Sequence, residues 1–296
     1  MDQTVEQGQL MIKETGPRRK RPAPSRKAND LDGKAWLQNS ISIWSDISKT
    51  SEEIALKHPA MFPVQLVSRL IESFTHSDQT VILDPFCGIG STVIAAEVMG
   101  KLGIGLDISP EYIEKAAQRP TINDGLFEAP SETGKGARRF IEADARNLLQ
   151  HVAPKSVDFV VTSPPYWDIL LRNRTADYKE VRNYGDSDRD LGRISNYKDF
   201  LDSLGTVFSN VLTVLKDGCY CCVVVMDLRK GSSFFPLHAD LAVKMQEIGF
   251  WFDDLIIWDR RREYNNLRPL GHPSVFRINK VHEYILIFQK PRANAR

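Results

Sequence analysis

Cysteine is scarce in this 296-residue chain, which has four. Cys219, Cys221 and Cys222 share one apolar run, Cys87 stands alone, and no C-x-x-C pair occurs. No zinc or other metal site is therefore expected, and all four cysteines read as buried small hydrophobes. Long apolar runs are also missing. The longest, Cys219 to Met226, falls far short of the roughly 20 residues that span a bilayer. Met1 to Leu10 is polar and acidic, unlike a secretory leader. Neither charge sign dominates: 39 basic residues face 38 acidic ones, for a net charge of +1. With 42% hydrophobic and 26% charged residues, a wholly disordered chain and a collagen-like repeat are both excluded. The expectation is a cytoplasmic protein with room for one sizeable α/β domain or two small ones.

The near-neutral total hides an uneven distribution. Met1 to Asn29 carries seven basic residues (Lys13, Arg18, Arg19, Lys20, Arg21, Arg26, Lys27) against three acids. Gly16 to Asp30 holds three prolines and little to bury. Residues 1–32 therefore read as a disordered basic tail, either a phosphate-contacting arm or a solvated leader. Residues 33–296 read as a single domain.

Within that domain, short apolar runs alternate with helical patterns. Val81 to Asp84, Leu102 to Asp107, Phe140 to Asp144 and Val157 to Ser163 read as strands, as do Cys219 to Met226, Phe252 to Trp258 and His282 to Phe288. Helices are expected over Ile89–Gly100, from Ser109-Pro110-Glu111 onward, over Tyr197–Leu215 and over Leu237–Ile248. Lys216-Asp217-Gly218 is expected to end the third of these. Such alternation predicts an α/β fold, a mostly parallel sheet with helices on both faces. Ligands in such sheets bind beyond the carboxyl ends of the strands. Asp84, Asp107, Asp144 and Ser163 each close a strand, so all four point to one crevice.

Asp84-Pro85-Phe86-Cys87-Gly88-Ile89-Gly90-Ser91-Thr92 joins the first of these strands to its helix. Two glycines let a ligand approach the backbone, and a helix start offers N–H groups to an anion. A dinucleotide fingerprint would want glycine where Val93 stands, which disfavours NAD or FAD. Asp107, 23 positions after Asp84, suits the two hydroxyls of a ribose; alone it would read equally as a helix cap or surface charge, but the glycine loop before it favours the ribose. Asp144 suits an adenine amine, or simply caps the turn Ala145–Gln150.

Thr162-Ser163-Pro164-Pro165-Tyr166-Trp167 follows the fourth strand. Two prolines make a rigid turn whose Pro164 carbonyl is available to a ligand. Ser163 adds a hydroxyl, and Tyr166 a face for a flat ring. Together these form a slot for a planar amine; alone, Pro-Pro-Tyr would read as a kinked loop with an aromatic plug.

DPFCGIGST together with TSPPYW resembles the amino-methyltransferases of DNA, which use S-adenosylmethionine to methylate exocyclic nitrogens. His58 to Pro63, Gly105 to Ser109 with Tyr112, Tyr184-Gly185-Asp186, Leu191-Gly192 and His282 to Phe288 extend the resemblance over roughly residues 40 to 290. The resemblance implies a Rossmann-like sheet of seven strands, the last antiparallel. It implies S-adenosylmethionine held by Asp84, Phe86, Gly88, Gly90, Thr92, Asp107 and Asp144. It implies catalysis by Ser163, Pro164, Pro165 and Tyr166, with the base flipped out of double-stranded DNA. A cognate restriction endonuclease acting on the same site is a partner it allows, in a prokaryote or a phage.

In this family a serine at the position of Ser163 is commoner in enzymes acting on cytosine N4, and aspartate or asparagine for adenine N6. Cytosine N4 is therefore the expected target and adenine N6 the alternative. Cytosine C5 chemistry needs a cysteine near this loop, and none is there. An RNA base methyltransferase and a non-catalytic DNA-binding subunit are the remaining alternatives. No separate recognition domain finds a place, so the loops 168–196 and 259–280 must serve. The second carries Arg260, Arg261, Arg262, Arg268, Arg277 and Lys280 against Asp259 and Glu263. Arg260, Arg261, Arg262 and Arg268 are the expected contacts to nucleic acid.

Overall fold

In the computed structural model, residues 27–56, 61–120, 136–168, 190–264 and 267–292 are described. The elements run α1 (Gly33–Asn39), β1 (Ile43–Trp44), α2 (Ser51–Ala55), α3 (Val64–Phe74), β2 (Val81–Asp84), α4 (Ser91–Val98), β3 (Leu102–Asp107), α5 (Pro110–Gln118) and β4 (Ala137–Glu142). A 3-10 turn over Ala145–Gln150 leads to β5 (Val157–Thr162). Another, over Leu191–Arg193, precedes α6 (Tyr197–Val214) and β6 (Leu215–Val225). A hairpin of β7 (Leu228–Lys230) and β8 (Ser233–Phe235), then α7 (Leu237–Ile248), β9 (Trp251–Asp259) and β10 (His282–Gln289) complete the set.

The sheet order is β1-β9-β10-β6-β5-β2-β3-β4. The strands β6, β5, β2, β3 and β4 pair in parallel, and β10 is antiparallel to both β6 and β9. The sheet is therefore mostly parallel with an antiparallel last strand, as expected. It has eight strands rather than seven, because the two-residue β1 adds to the edge of β9.

Residues on successive strand positions go to opposite layers. Leu83, Val160, Cys221, Val223 and Val225 pack with Phe200, Leu204, Phe208 and Leu241 of α6 and α7. Their neighbours Ile82, Phe159, Val161, Cys222 and Val224 pack with Leu66, Leu70 and Ile94 of α3 and α4. Burial on both faces explains why the central strands β2, β5 and β6 carry nearly continuous apolar runs. All four cysteines are free and buried. Among the described residues, no group of three or more metal-ligating side chains is arranged around a common point. No described helix is long and apolar enough to cross a membrane.

Several boundaries differ from expectation, and the helix expected over Ile89–Gly100 spans only Ser91–Val98. Lys216-Asp217-Gly218 does not end α6 but belongs to β6, where Gly218 takes φ +79° and the pairing with β5 shifts register. The strand expected at Phe140–Asp144 starts at Ala137 and stops at Glu142, leaving Asp144 to cap the turn after it. Residues 1–26 of the expected tail, and 169–189 of the first recognition loop, lie outside the described residues. The end of the tail is not loose: Asn29 is buried and donates to the Ser73 carbonyl, Asp30 accepts from the Ser77 N–H, and Asp32 caps α1.

Candidate active site

The parallel strands β2, β3 and β5 end on the same edge of the sheet, and a cavity of about 760 Å³, mouth included, opens there. Phe86, Gly88, Asp107, Asp144, Ser163 and Pro165 line it, so the glycine loop and the serine-proline motif face one space. Met61, Phe62, Asp190 and Leu191 also line it and are not among the residues expected from the sequence.

Asp107 closes β3. Its two oxygens accept from the backbone N–H groups of Gly88 and Ser109, each at 2.9 Å. Gly88, at φ +50°, thereby ties the loop to the next strand. Burial pushes the Asp107 carboxyl up to about 6, the two N–H donors oppose that, and the nearby Asp190 charge adds to it. Asp190 is itself raised by burial and caps the 3-10 turn at Gly192. Asp144 is held by Arg146, whose Nη2 lies 2.6 Å away, and accepts from the Arg146 backbone N–H. It both caps the turn and lines the cavity, so the two readings of this residue coexist.

Asp84, Gly90 and Thr92 do not line the cavity. Asp84 is 1% exposed. It accepts from the Thr162 hydroxyl at 2.6 Å, the Thr92 hydroxyl at 2.7 Å and the Phe86 N–H at 3.0 Å. It clamps the glycine loop to α4 and β5 from behind. Burial pushes its carboxyl up to about 6, against those three donors. Gly90 takes φ +82° and faces Phe140, whose ring would be 2.8 Å from an added Cβ. These three shape the site without facing it.

On the other wall, Ser163 and Pro165 face the cavity, whereas Pro164 and Tyr166 do not line it. The Ser163 hydroxyl donates to Tyr166 Oη at 3.0 Å, and Tyr166 Oη donates to Glu283 Oε2 at 3.0 Å. Burial, followed by the Glu283 charge, pushes the Tyr166 phenol well up. The next residue, Trp167, sits in the left-handed region at φ +50°, a conformation non-glycine residues rarely take. It is held there by a bond from its Nε1 to the Ile194 carbonyl at 2.7 Å and by Phe235 and Tyr197 packing against it.

The basic loop also differs from expectation. Arg260 is not available to a phosphate. It pairs with Glu283, and its Nε and Nη2 lie 3.2 and 2.6 Å from Glu263. Its side chain is 16% exposed. Burial would lower its affinity for a proton, but Glu283 and Glu263 more than offset this and raise it. Arg261 is 73% exposed and paired with Asp259 at 2.5 Å. Arg262 and Arg268 are exposed.

Comparison with known proteins places this arrangement. A family model described as DNA methylase, covering N6 and N4 methyltransferases, matches residues 7–118 and 157–295. The chain belongs to this DNA methylase family. The chain is 31% identical over 113 residues to the Type II beta methyltransferase M.BslI of Bacillus sp. (strain NEB-606), covering 37% of this chain and 12% of that one. It is 38% identical over 87 residues to the Type II methyltransferase M.ScaI of Streptomyces caespitosus, covering 28% of each. These matches span well under two thirds of those relatives' lengths. A solved, provisionally named DNA modification methylase of Thermus thermophilus, complexed with S-adenosyl-L-methionine, is 32% identical. The match covers 52% of this chain and 56% of that one, with a TM-score of 0.36.

Proposed function

We propose that this methylase transfers a methyl group from S-adenosylmethionine to the exocyclic N4 of a cytosine flipped out of double-stranded DNA. One observation carries the reading: Gly88 and Ser163, from the two motifs, line the same cavity as Asp107. The cofactor supplies an electrophilic methyl group on sulfur. The residues present fit it. Asp107 keeps lone pairs beyond its two backbone donors for ribose hydroxyls, Phe86 offers a ring face for adenine, and Asp144 an acceptor for its amine. Asp84, Gly90 and Thr92 hold the loop that carries Phe86 and Gly88.

The target amine is a weak nucleophile, because its lone pair is conjugated with the ring. An acceptor on its N–H groups favours the pyramidal nitrogen that reacts. Ser163 is the polar side chain of the motif on the cavity wall. The exposed arginines Arg261, Arg262 and Arg268 suit the phosphate backbone. The names of the relatives favour a place beside a restriction endonuclease of the same specificity, in the cytoplasm. Serine at position 163 favours cytosine N4 over adenine N6.

Nucleoside mass spectrometry on DNA incubated with the protein and S-adenosylmethionine tests this, with Ser163→Ala and Asp107→Ala as controls. N4-methylcytosine, lost in both controls, is expected. N6-methyladenine would keep the site and overturn the base assignment. No methylated base in DNA, with the cofactor bound, would overturn the substrate.

A further inference from the structure

We infer that Glu283, held by Arg260, is a positioning residue that sets the direction of the hydrogen bonds through Tyr166 and Ser163. The inference rests on the methyl-transfer reading above. Glu283 belongs to β10 and is buried. One of its oxygens is engaged by Arg260, the other accepts from Tyr166 Oη at 3.0 Å. Arg260 is fixed in turn by Glu263 and lies over the Trp258 ring, 4.7 Å from its centre. A guanidinium keeps its charge in proteins, and an ionised carboxylate beside it can only accept.

Tyr166 Oη has three polar neighbours: Glu283 Oε2 at 3.0 Å, the Val224 carbonyl at 3.4 Å and Ser163 Oγ at 3.0 Å. The first two accept and cannot donate. A phenol has one proton, and the nearer, charged acceptor takes it. The contact between the two hydroxyls must then use the proton of Ser163. With that proton directed at Tyr166, Ser163 presents lone pairs to the cavity it lines.

This direction matters for the chemistry. The target nitrogen attacks with its own lone pair. A hydroxyl that donated to that lone pair would compete with the methyl group for it. One that accepts from the N–H leaves the lone pair aimed at the methyl and stabilises the positive charge that develops on nitrogen. Glu283 touches no substrate in this scheme. It decides whether Ser163 helps or hinders.

Glu283→Gln tests the idea by replacing an acceptor with a donor of the same size. With its oxygen kept on Arg260, the amide N–H₂ faces Tyr166, whose proton then turns to Ser163 Oγ at 3.0 Å, nearer than the Val224 carbonyl at 3.4 Å. For methyl transfer to double-stranded DNA, kcat should fall about ten- to a hundred-fold, the effect of one misdirected buried hydrogen bond in the transition state. KM for DNA and the cofactor Kd should stay within about twofold. Tyr166→Phe removes the hydroxyl through which Glu283 acts, so Glu283→Gln added to Tyr166→Phe should cost nothing further. Additive losses would mean packing rather than hydrogen-bond direction, and would overturn the inference, as would an unchanged kcat. If cofactor titration shows that the Gln variant does not fold, Glu283→Asp serves. It keeps the charge beside Arg260 but shortens the reach to Tyr166, and an unchanged kcat there is equally fatal. A wild-type protein that methylates neither DNA nor RNA overturns both readings. An active wild type with an undiminished Glu283→Gln variant overturns this one alone.

Discussion

Lowering the pH from 8 to 5 should weaken S-adenosylmethionine binding about tenfold, through Asp107. Burial pushes this carboxyl up to about 6, helped by the Asp190 charge and opposed by the N–H groups of Ser109 and Gly88. Two ribose hydroxyls are donors and favour the ionised form. If that form alone binds well, affinity follows its population: about half at pH 6 and about a tenth at pH 5. The dissociation constant should therefore rise about twofold at the first and about tenfold at the second. Isothermal titration across the range reads this directly. Asp84 is also pushed up to about 6 by burial, and Asp190 is raised. Asp107→Asn assigns the effect, because its weaker binding should be flat in pH. A flat wild-type profile, or a slope that survives in the Asn variant, would refute the reasoning.

The same shifts act on stability with the opposite sign. The folded protein keeps protons on these carboxyls up to about 6, whereas the unfolded chain releases them near 3.8. Stability from this source is fully present below the unfolded value and is lost as pH rises through the folded one. For the fully buried Asp84 the loss has an upper bound of about 3 kcal/mol. Melting of the ligand-free protein should thus move down between pH 4 and 7 while the upward shift caused by cofactor grows.

Other perturbations read separate parts of the molecule. Thr162→Val removes a 2.6 Å bond to the Asp84 carboxyl, and should cost about 1.5–3 kcal/mol in urea unfolding; an unmoved midpoint would show that Asp84 does not depend on it. Gly103→Ala puts a Cβ 2.7 Å from the backbone of Val93 in α4, and should cost about 1–3 kcal/mol, since helix backbone cannot step aside; an unchanged melting temperature would contradict that packing. Replacing Arg261, Arg262 and Arg268 together with Ala should weaken DNA binding and reduce its salt slope by about 2–3. Arg260→Ala should instead lower stability and turnover while leaving the salt slope alone, and the reverse pattern would return Arg260 to the DNA surface.

Local pattern carried much of the frame. β2 and β3 begin and end as read, because each is a buried apolar run closed by an acid. So does α7, which Pro236 precedes and Gly249 closes at φ +116°. The helix α3 is absent from the expected set although its pattern is legible: Val64, Val67, Leu70 and Ile71 repeat at helical spacing, and all are buried. β1 was not legible. Its two residues are a strand only because Ile257 and Trp258, more than 200 positions away, hold them there.

The site divides in the same way. Residue type and position in the motif brought Phe86, Gly88, Asp107, Asp144, Ser163 and Pro165 to one cavity. They did not say which acids face it. Asp84 and Asp107 both end parallel strands, have carboxyls pushed up to about 6 by burial and sit near one loop. What separates them is their partners. Two threonine hydroxyls, one eight positions on and one from a different strand, meet Asp84 inside the protein. Asp107 meets backbone N–H groups at its rim and keeps an outlook on the cavity. Arg260 repeats the lesson with opposite charge. In the sequence it is one of six basic residues in a loop. In the fold it is the counter-charge of Glu283, behind Tyr166. The sign of a charge is written locally, but its task depends on what a distant strand brings to meet it.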